Sequence, residues 1–252
     1  MIRGLYAAVS ASKAHETRLG TLLNNVANVQ TTGYKQDKTA NRGFYEMLIS
    51  RLSRSPFSMV THSELGTMAT GTGAAVPIVD FSQGSPVETG RPLDLALNGP
   101  GFLAVQTPEG VRYTRDGNLR TDASGLLTQA DGSPVLGVDG PLHLGQGSLR
   151  IDDSGAIFVD GEPAGRLRLV EIPPEAMKKA GSNYFEALDE AAVRDPEHTA
   201  VSQGFLESSN VDPARTVMEL MEIVRSYAAA QECLRLQDEM LGRAVSEIGR
   251  LG

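Results

Sequence analysis

Apolar positions near the N-terminus recur at alternating spacings of three and four. Ile2, Leu5, Val9, Ser12, Glu16, Leu19, Leu23 and Val26 fall on one such stripe. The same rhythm runs near the C-terminus through Val217, Leu220, Val224, Tyr227, Gln231, Leu234, Asp238, Leu241, Val245 and Ile248. A heptad stripe is a narrow seam that another helix must cover. Two such helices at opposite ends of a chain cover each other, or the same helices of neighbouring subunits. The first is expected over residues 2–28, with Ala7, Ala8, Ala11 and Ala14 adding propensity. It ends before Thr31-Thr32-Gly33, where the glycine offers a left-handed position. The second starts cleanly, since Asp212 can accept from first-turn amides and Pro213 suits the first helical position. Run on to Arg250, it is about 57 Å long at 1.5 Å per residue.

Between the helices the period changes. From about Ala74 to Leu206, short apolar runs alternate with Asp116-Gly117, Ser124-Gly125, Asp131-Gly132, Asp139-Gly140, Ser154-Gly155 and Asp160-Gly161. Such dipeptides mark tight turns, because glycine tolerates positive φ and aspartate bonds its own backbone. Strands are expected at Phe102–Gln106, Val111–Thr114, Gly125–Thr128, Ala156–Val159 and Leu167–Ile172. An internal echo links the segments beginning at Asp122 and Asp152, thirty residues apart; two copies do not make a solenoid. Phe44, Met47, Leu48 and Leu52 suggest a short helical turn, and Thr67 to Gly73 loop or extended chain.

The fold class is therefore α+β. Residues 1–35 together with 212–252 are expected to pair as a coiled-coil assembly domain. Residues 36–73 form a linker or extended segment, and 74–211 a central all-β, hairpin-rich domain, as a sandwich or irregular barrel.

Composition narrows the function. A net charge of −8 disfavours nucleic acid or an anionic membrane as partner. The charge is uneven: residues 1–60 hold 8 Lys/Arg against 3 Asp/Glu, and the remainder 15 against 28. Cys233 is the single cysteine and is expected as a small buried thiol in the C-terminal seam. The sequence shows no secretory leader and no 18-residue apolar run, which taken alone points to the cytoplasm. Gly71-Thr-Gly73 lacks the third glycine of a phosphate cradle. His15, His62, His143 and His198 show no metal-ligand spacing, and Asp152, Asp153 and Asp160 lack the oxygen pattern of a calcium loop. Asp94 and Asp116 form an acid–base pair only if the fold joins them. No catalytic, cofactor-binding or metal residue is assigned.

The stretch Asn24-Asn-Val-Ala-Asn28-Val-Gln-Thr-Thr-Gly33-Tyr34-Lys35 resembles the signature that follows the first helix of bacterial flagellar rod and hook proteins. The resemblance continues through Phe81–Gly84, Glu88–Gly90, Pro92–Gly99, Gly101-Phe102 and Tyr113–Asn118. It closes with Gly204–Val211, Met218–Ile223 and Arg225–Tyr227. Length and central block are most similar to the rod proteins, proximal or distal. A departure is Leu103, where the family often has a second Phe.

The resemblance implies a non-enzymatic axial subunit without cofactors. It would leave the cytoplasm uncleaved through the flagellar type III export apparatus and polymerise helically with itself and with other rod and hook subunits. Its place would be the basal body, outside the cytoplasmic membrane and not inserted in it, joining motor to hook and transmitting torque. The residues expected at the assembly interface are Leu5, Val9, Leu19, Leu23, Asn24, Asn25, Val26, Asn28, Gly33 and Tyr34 at the N-terminal end. At the other end they are Val217, Leu220, Val224, Tyr227, Leu234, Leu241, Val245 and Ile248. The three asparagines serve either as a local cap or as amide links between subunits. The competing reading is a secreted, self-contained β-rich adhesin or fibre subunit.

Overall fold

The computed structural model of the chain describes residues 2–39, 42–43, 46–55, 58–69, 72–73, 77–145, 147–181, 183–196 and 198–250. For residues 2–5, 42–73 and 248 it describes the backbone alone. Contacts divide the chain into two units: residues 1–26, 37–78 and 214–252, and residues 27–36 with 79–213.

The first unit is built on α1 (Ile2–Ala27) and α2 (Pro213–Gly249). Both helices fall within a residue of the expected limits. Between them in sequence, β1 (Glu46–Ser55) and β2 (Ser58–Ala69) form an antiparallel hairpin with Met47 opposite Met68 and Leu52 opposite His62. The helical turn expected here is thus a strand at Met47, Leu48 and Leu52; Phe44 lies outside the described residues. Ser50, Ser53 and Ser55 are weak helix formers, while Ile49, Val60, Thr61 and Thr67 suit a pleated ladder.

The covered faces of the helices are offset from the expected seams. On α1, Ala14, Thr21, Leu22 and Asn25 are buried, whereas Val9, Glu16 and Leu23 are exposed. On α2, Thr216 and Ile223 are buried, and Leu220, Tyr227, Ala230, Leu234, Gln237, Leu241 and Ala244 are half-buried. Alternate positions are shifted by one residue from Val217, Val224, Gln231, Asp238 and Val245, all of which are exposed. Small and polar side chains occupy part of the covered face, so apolar periodicity alone selects the wrong neighbour. Cys233, expected buried, is exposed for the same reason. Gln231 Nε2 donates to Ser12 Oγ at 3.5 Å, and Arg18 Nη2 lies 3.8 Å from Glu219 Oε2. Going up α1 from 12 to 18 goes down α2 from 231 to 219, an antiparallel sense. Asn25 clips the returning chain to α1: its Nδ2 donates to Asp37 O at 2.8 Å and its Oδ1 accepts from Asp37 N at 2.9 Å.

Among the strands of the second unit are β3 (Pro86–Glu88), β4 (Leu95–Asn98), β5 (Phe102–Thr107), β6 (Gly110–Thr114), β7 (Leu149–Ile151), β8 (Ala156–Val159) and β9 (Glu162–Arg166). They are followed by β10 (Leu169–Val170), β11 (Met177–Lys179), β12 (Tyr184–Ala187), β13 (Ala200–Gln203) and β14 (Phe205–Glu207). The largest sheet runs β10-β5-β6-β12-β11, antiparallel throughout. A second sheet is β7-β8-β9, and β13 and β14 return to pair with β4 and β3. β5 explains its unbroken apolar run, since both of its faces are buried. Leu103 enters a cluster with Leu95, Leu97, Leu119, Leu127 and Ile157, while Phe102 and Ala104 enter another with Tyr113, Val170 and Phe185.

The two echoed segments form the same turn. Gly125 N donates to Asp122 O and Gly155 N to Asp152 O. Asp122 N donates to Leu126 O as Asp152 N does to Ala156 O, and both glycines have positive φ. Gly117 departs from the turn expectation. Its φ is not positive; a side chain there would collide with the Leu95 carbonyl, so glycine permits a close backbone approach.

Candidate functional site

The signature after α1 is bound into the second unit at a buried ionic clasp. Lys35 and Glu207 are 0% and 1% exposed, and Lys35 Nζ donates to Glu207 Oε1 at 2.5 Å. Lys35 Nζ also donates to Ser82 O at 2.8 Å. Glu207 Oε1 accepts from Gly84 N at 2.8 Å, and its Oε2 lies 3.5 Å from Arg115 Nη1. Arg115 Nη2 donates to Gly99 O at 2.6 Å, with the guanidinium carbon 4.8 Å from the Phe102 ring centre. One carboxylate therefore faces two buried cations. Burial lowers the Lys35 ammonium below its ordinary value, against the opposing pull of Glu207, and lowers Arg115 likewise.

Neighbouring residues fix the strap on both sides of Lys35. Gly33 has φ 64° and its amide donates to Glu207 O at 2.8 Å. A Cβ there would run into the Arg115 carbonyl and lie 2.6 Å from Asp116 N, so only glycine fits. Thr32 Oγ1 donates to Asp116 Oδ1 at 2.5 Å, and Asn183 Nδ2 to Thr32 O at 2.8 Å. The buried Tyr34 ring lies under the Lys179 ammonium at 4.5 Å, which donates to Lys35 O at 2.8 Å. Asn210 completes the strap: its Oδ1 accepts from Gln36 N and its Nδ2 donates to Asp80 O, both at 2.8 Å.

Asp94 and Asp116 are brought within electrostatic reach of each other. Burial raises the Asp116 carboxyl; the Thr32 hydroxyl and Asn118 amide oppose that shift, and Asp131 and Asp94 add to it. Asp94 is fully buried, with Arg91 3.7 Å away. Among the described residues, no group of three or more His, Cys, Asp or Glu side chains is arranged to hold a metal.

The expected interface residues divide between roles. Gly33 and Tyr34 belong to the clasp and Asn25 to the clip on Asp37. Asn28 accepts from Thr31 Oγ1 at 3.2 Å, ending the helix locally. Val9, Leu23, Asn24, Val217, Val224 and Val245 are exposed. Leu19, Val26, Leu220, Tyr227, Leu234 and Leu241 are half-buried. The side chains of Leu5 and Ile248 lie outside the described residues. Sequence reasoning missed Lys35, Arg115, Glu207 and Asn210 as site residues. Each sits inside a quoted motif, yet only the fold brings positions 35, 115 and 207 together.

Three family models match the chain. The flagella basal body rod protein model covers residues 5–35, the D1 domain of the flagellar hook proteins FlgE/F/G covers 96–177, and the C-terminal model of flagellar basal body rod FlgEFG proteins covers 202–247. The clasp takes one residue from each: Lys35, Arg115 and Glu207. The flagellar hook-basal body complex protein FlhO of Bacillus subtilis is 30% identical, with all of both chains covered. The flagellar basal-body rod protein FlgF of Caulobacter vibrioides is 29% identical, again over all of both chains. The flagellar basal-body rod protein FlgG of Bacillus subtilis is 30% identical over 98% of this chain and 99% of its own. With the signature, the clasp and the full-length likeness in agreement, the chain belongs to the family of flagellar basal-body rod proteins.

Proposed function

We propose that the chain is a structural axial subunit of the bacterial flagellar rod, polymerising helically to join the membrane-ring motor to the hook and transmit torque. The observation that carries this reading is a contrast between the units. The second unit closes its own apolar clusters, whereas the helices leave Val9, Leu23, Val217, Val224 and Val245 uncovered. Surfaces of this kind call for neighbours. Heterologous contacts between copies give an open helical tube when the rotation does not close.

Within one subunit, α1 and α2 pair as an antiparallel coiled coil. The Ser12–Gln231 and Arg18–Glu219 contacts support that pairing. The exposed apolar members of the expected interface, Val9, Leu23, Val217, Val224 and Val245, then face neighbouring rod or hook subunits. Helices that cannot cover their own stripes stay labile until a neighbour arrives, which suits passage through the flagellar export apparatus largely unfolded. No helix among the described residues is long and apolar enough to cross a membrane.

The test is a deletion strain complemented with the wild-type chain or with Val217→Asp/Val224→Asp. Purified basal bodies should contain the wild-type protein in a complete rod and should stop short with the variant. Complete rods in the deletion strain would contradict the proposal.

A further inference from the structure

Asn98-Gly99 is the chain's only Asn-Gly pair. Such a pair ordinarily signals a hairpin turn. Here Asn98 instead ends β4, which pairs with the distant β13, Asn98 opposite Ala200. Asparagine is also among the thermally labile residues, and before glycine no side chain hinders its cyclisation. The Gly99 nitrogen, once its proton has passed to hydroxide, attacks Asn98 Cγ. The new N–Cγ bond forms and the Cγ–Nδ2 bond breaks, with ammonia leaving on a proton from solvent. Water then opens the cyclic imide at either carbonyl, giving aspartate or isoaspartate.

The fold holds both reacting groups. Gly99 N donates to Gln83 Oε1 at 3.3 Å, so the nucleophile keeps its proton. Asn98 Nδ2 donates to Ser202 Oγ at 2.8 Å and Asn98 Oδ1 accepts from Gln83 Nε2 at 3.3 Å, which fixes the carboxamide. Gln83 Nε2 is anchored in turn on Leu97 O at 3.1 Å. Every hydrogen bond described for the Gln83 side chain thus goes to Leu97, Asn98 or Gly99. Gly99 sits at φ 119° against the His198 carbonyl, so its backbone has little room to swing toward Cγ. Asn98 is exposed, and water is at hand whenever these bonds open.

We propose that Asn98 is a site of spontaneous deamidation, open in the unfolded chain and closed in the fold, with Gln83 as the side chain that closes it. The aspartate product fits, since Ser202 and Gln83 both donate to it. Isoaspartate does not. It lengthens the main chain just before Gly99, whose carbonyl accepts from Arg115 Nη2 at 2.6 Å and whose Cα lies against His198. Chains that form isoaspartate before folding are therefore shut out of the finished fold, and the reaction records time spent unfolded.

The full-length chain, folded or held in guanidinium chloride at mildly alkaline pH, tests this by mass spectrometry of the peptide containing Asn98. Conversion should be fast in denaturant and slower in the fold by roughly tenfold or more, the weight of about one hydrogen bond. Folded Gln83→Met, which fills the same space without an acceptor for Gly99 N, should regain much of the lost rate. Gln83→Glu keeps the acceptor and should stay slow, and all three chains should react alike in denaturant. Hydrogen exchange across residues 79–213 reports whether each variant is folded, and the comparison of folded with denatured wild type needs no variant. No reaction at Asn98 in denaturant, equal rates in folded and denatured wild type, or a folded Gln83→Met as slow as wild type would each overturn the proposal. Isoaspartate chains that refold with wild-type exchange would overturn its consequence.

Discussion

Lys35 Nζ lies 2.5 Å from Glu207 Oε1, although 172 residues separate them in sequence and neither side chain meets solvent. The pair ties the signature that follows the first helix to the segment that precedes the second. The residues through which the chain leaves one helix and enters the other are thus held in a single buried network.

That network is unbalanced, and the imbalance orders the effects of mutation. Glu207→Gln leaves Lys35 and Arg115 buried without a counter-charge, and should destabilise the second unit by about 3–5 kcal/mol. Lys35→Met removes one of two cations and leaves Glu207 facing Arg115, so it should cost less, about 1–3 kcal/mol. Chemical denaturation of both variants checks the order. Equal costs, or a larger one for Lys35→Met, would contradict the charge count.

Gly33→Ala meets both a positive φ and the Arg115 backbone. The left-handed conformation alone costs an alanine about 1–2 kcal/mol, and the collision adds to it. Gly33 is expected from the sequence at the assembly interface, but its contacts with Arg115 and Glu207 direct the first effect of the substitution to the second unit's own stability. A melting temperature equal to wild type would refute that.

The Asp116 carboxyl is raised by burial, so its ionised form is disfavoured in the fold. A raised carboxyl contributes stability that is complete below its unfolded value of 3.8 and is lost as pH rises through the folded value. Asp116→Asn keeps an oxygen to accept from Thr32 and Asn118, and should stabilise the protein at neutral pH. Below pH 3.8 the gain should vanish. Denaturation curves at both ends of that window settle the sign, and an equal effect at both would exclude ionisation as the cause.

Val224→Asp places a charge on an exposed helix position. It should leave the stability of the second unit within about 0.5 kcal/mol of wild type while weakening association in sedimentation. Association at the wild-type level would remove Val224 from the interface.

Much of this fold was legible in the chain because the signals were local. The helix limits followed from Asp212-Pro213 at one start and Thr31–Gly33 at the other stop. Gly125, Gly132, Gly140, Gly155 and Gly161 all take the positive φ that their dipeptides announced. The echo at Asp122 and Asp152 proved to be one turn built twice.

What escaped was non-local or mixed. The covered stripes include Thr216, Ala230, Gln237 and Ala244, so a search for apolar spacing settles on exposed valines instead. The β1–β2 hairpin shares its apolar spacing with a helical turn, and only the pairing of Leu48 with Thr67 and of Leu52 with His62 decides between them. Lys35, Arg115 and Glu207 look like ordinary surface charges until the chain closes them inside.

The central claim is that the helices wait for neighbours while the second unit does not. Hydrogen exchange on the full chain, dilute and then assembled, tests it most directly. In the dilute chain, residues 2–26 and 214–249 should exchange fast and residues 79–213 slowly; on assembly the helices should become protected. Helices as well protected in the dilute chain as the β strands would contradict the account.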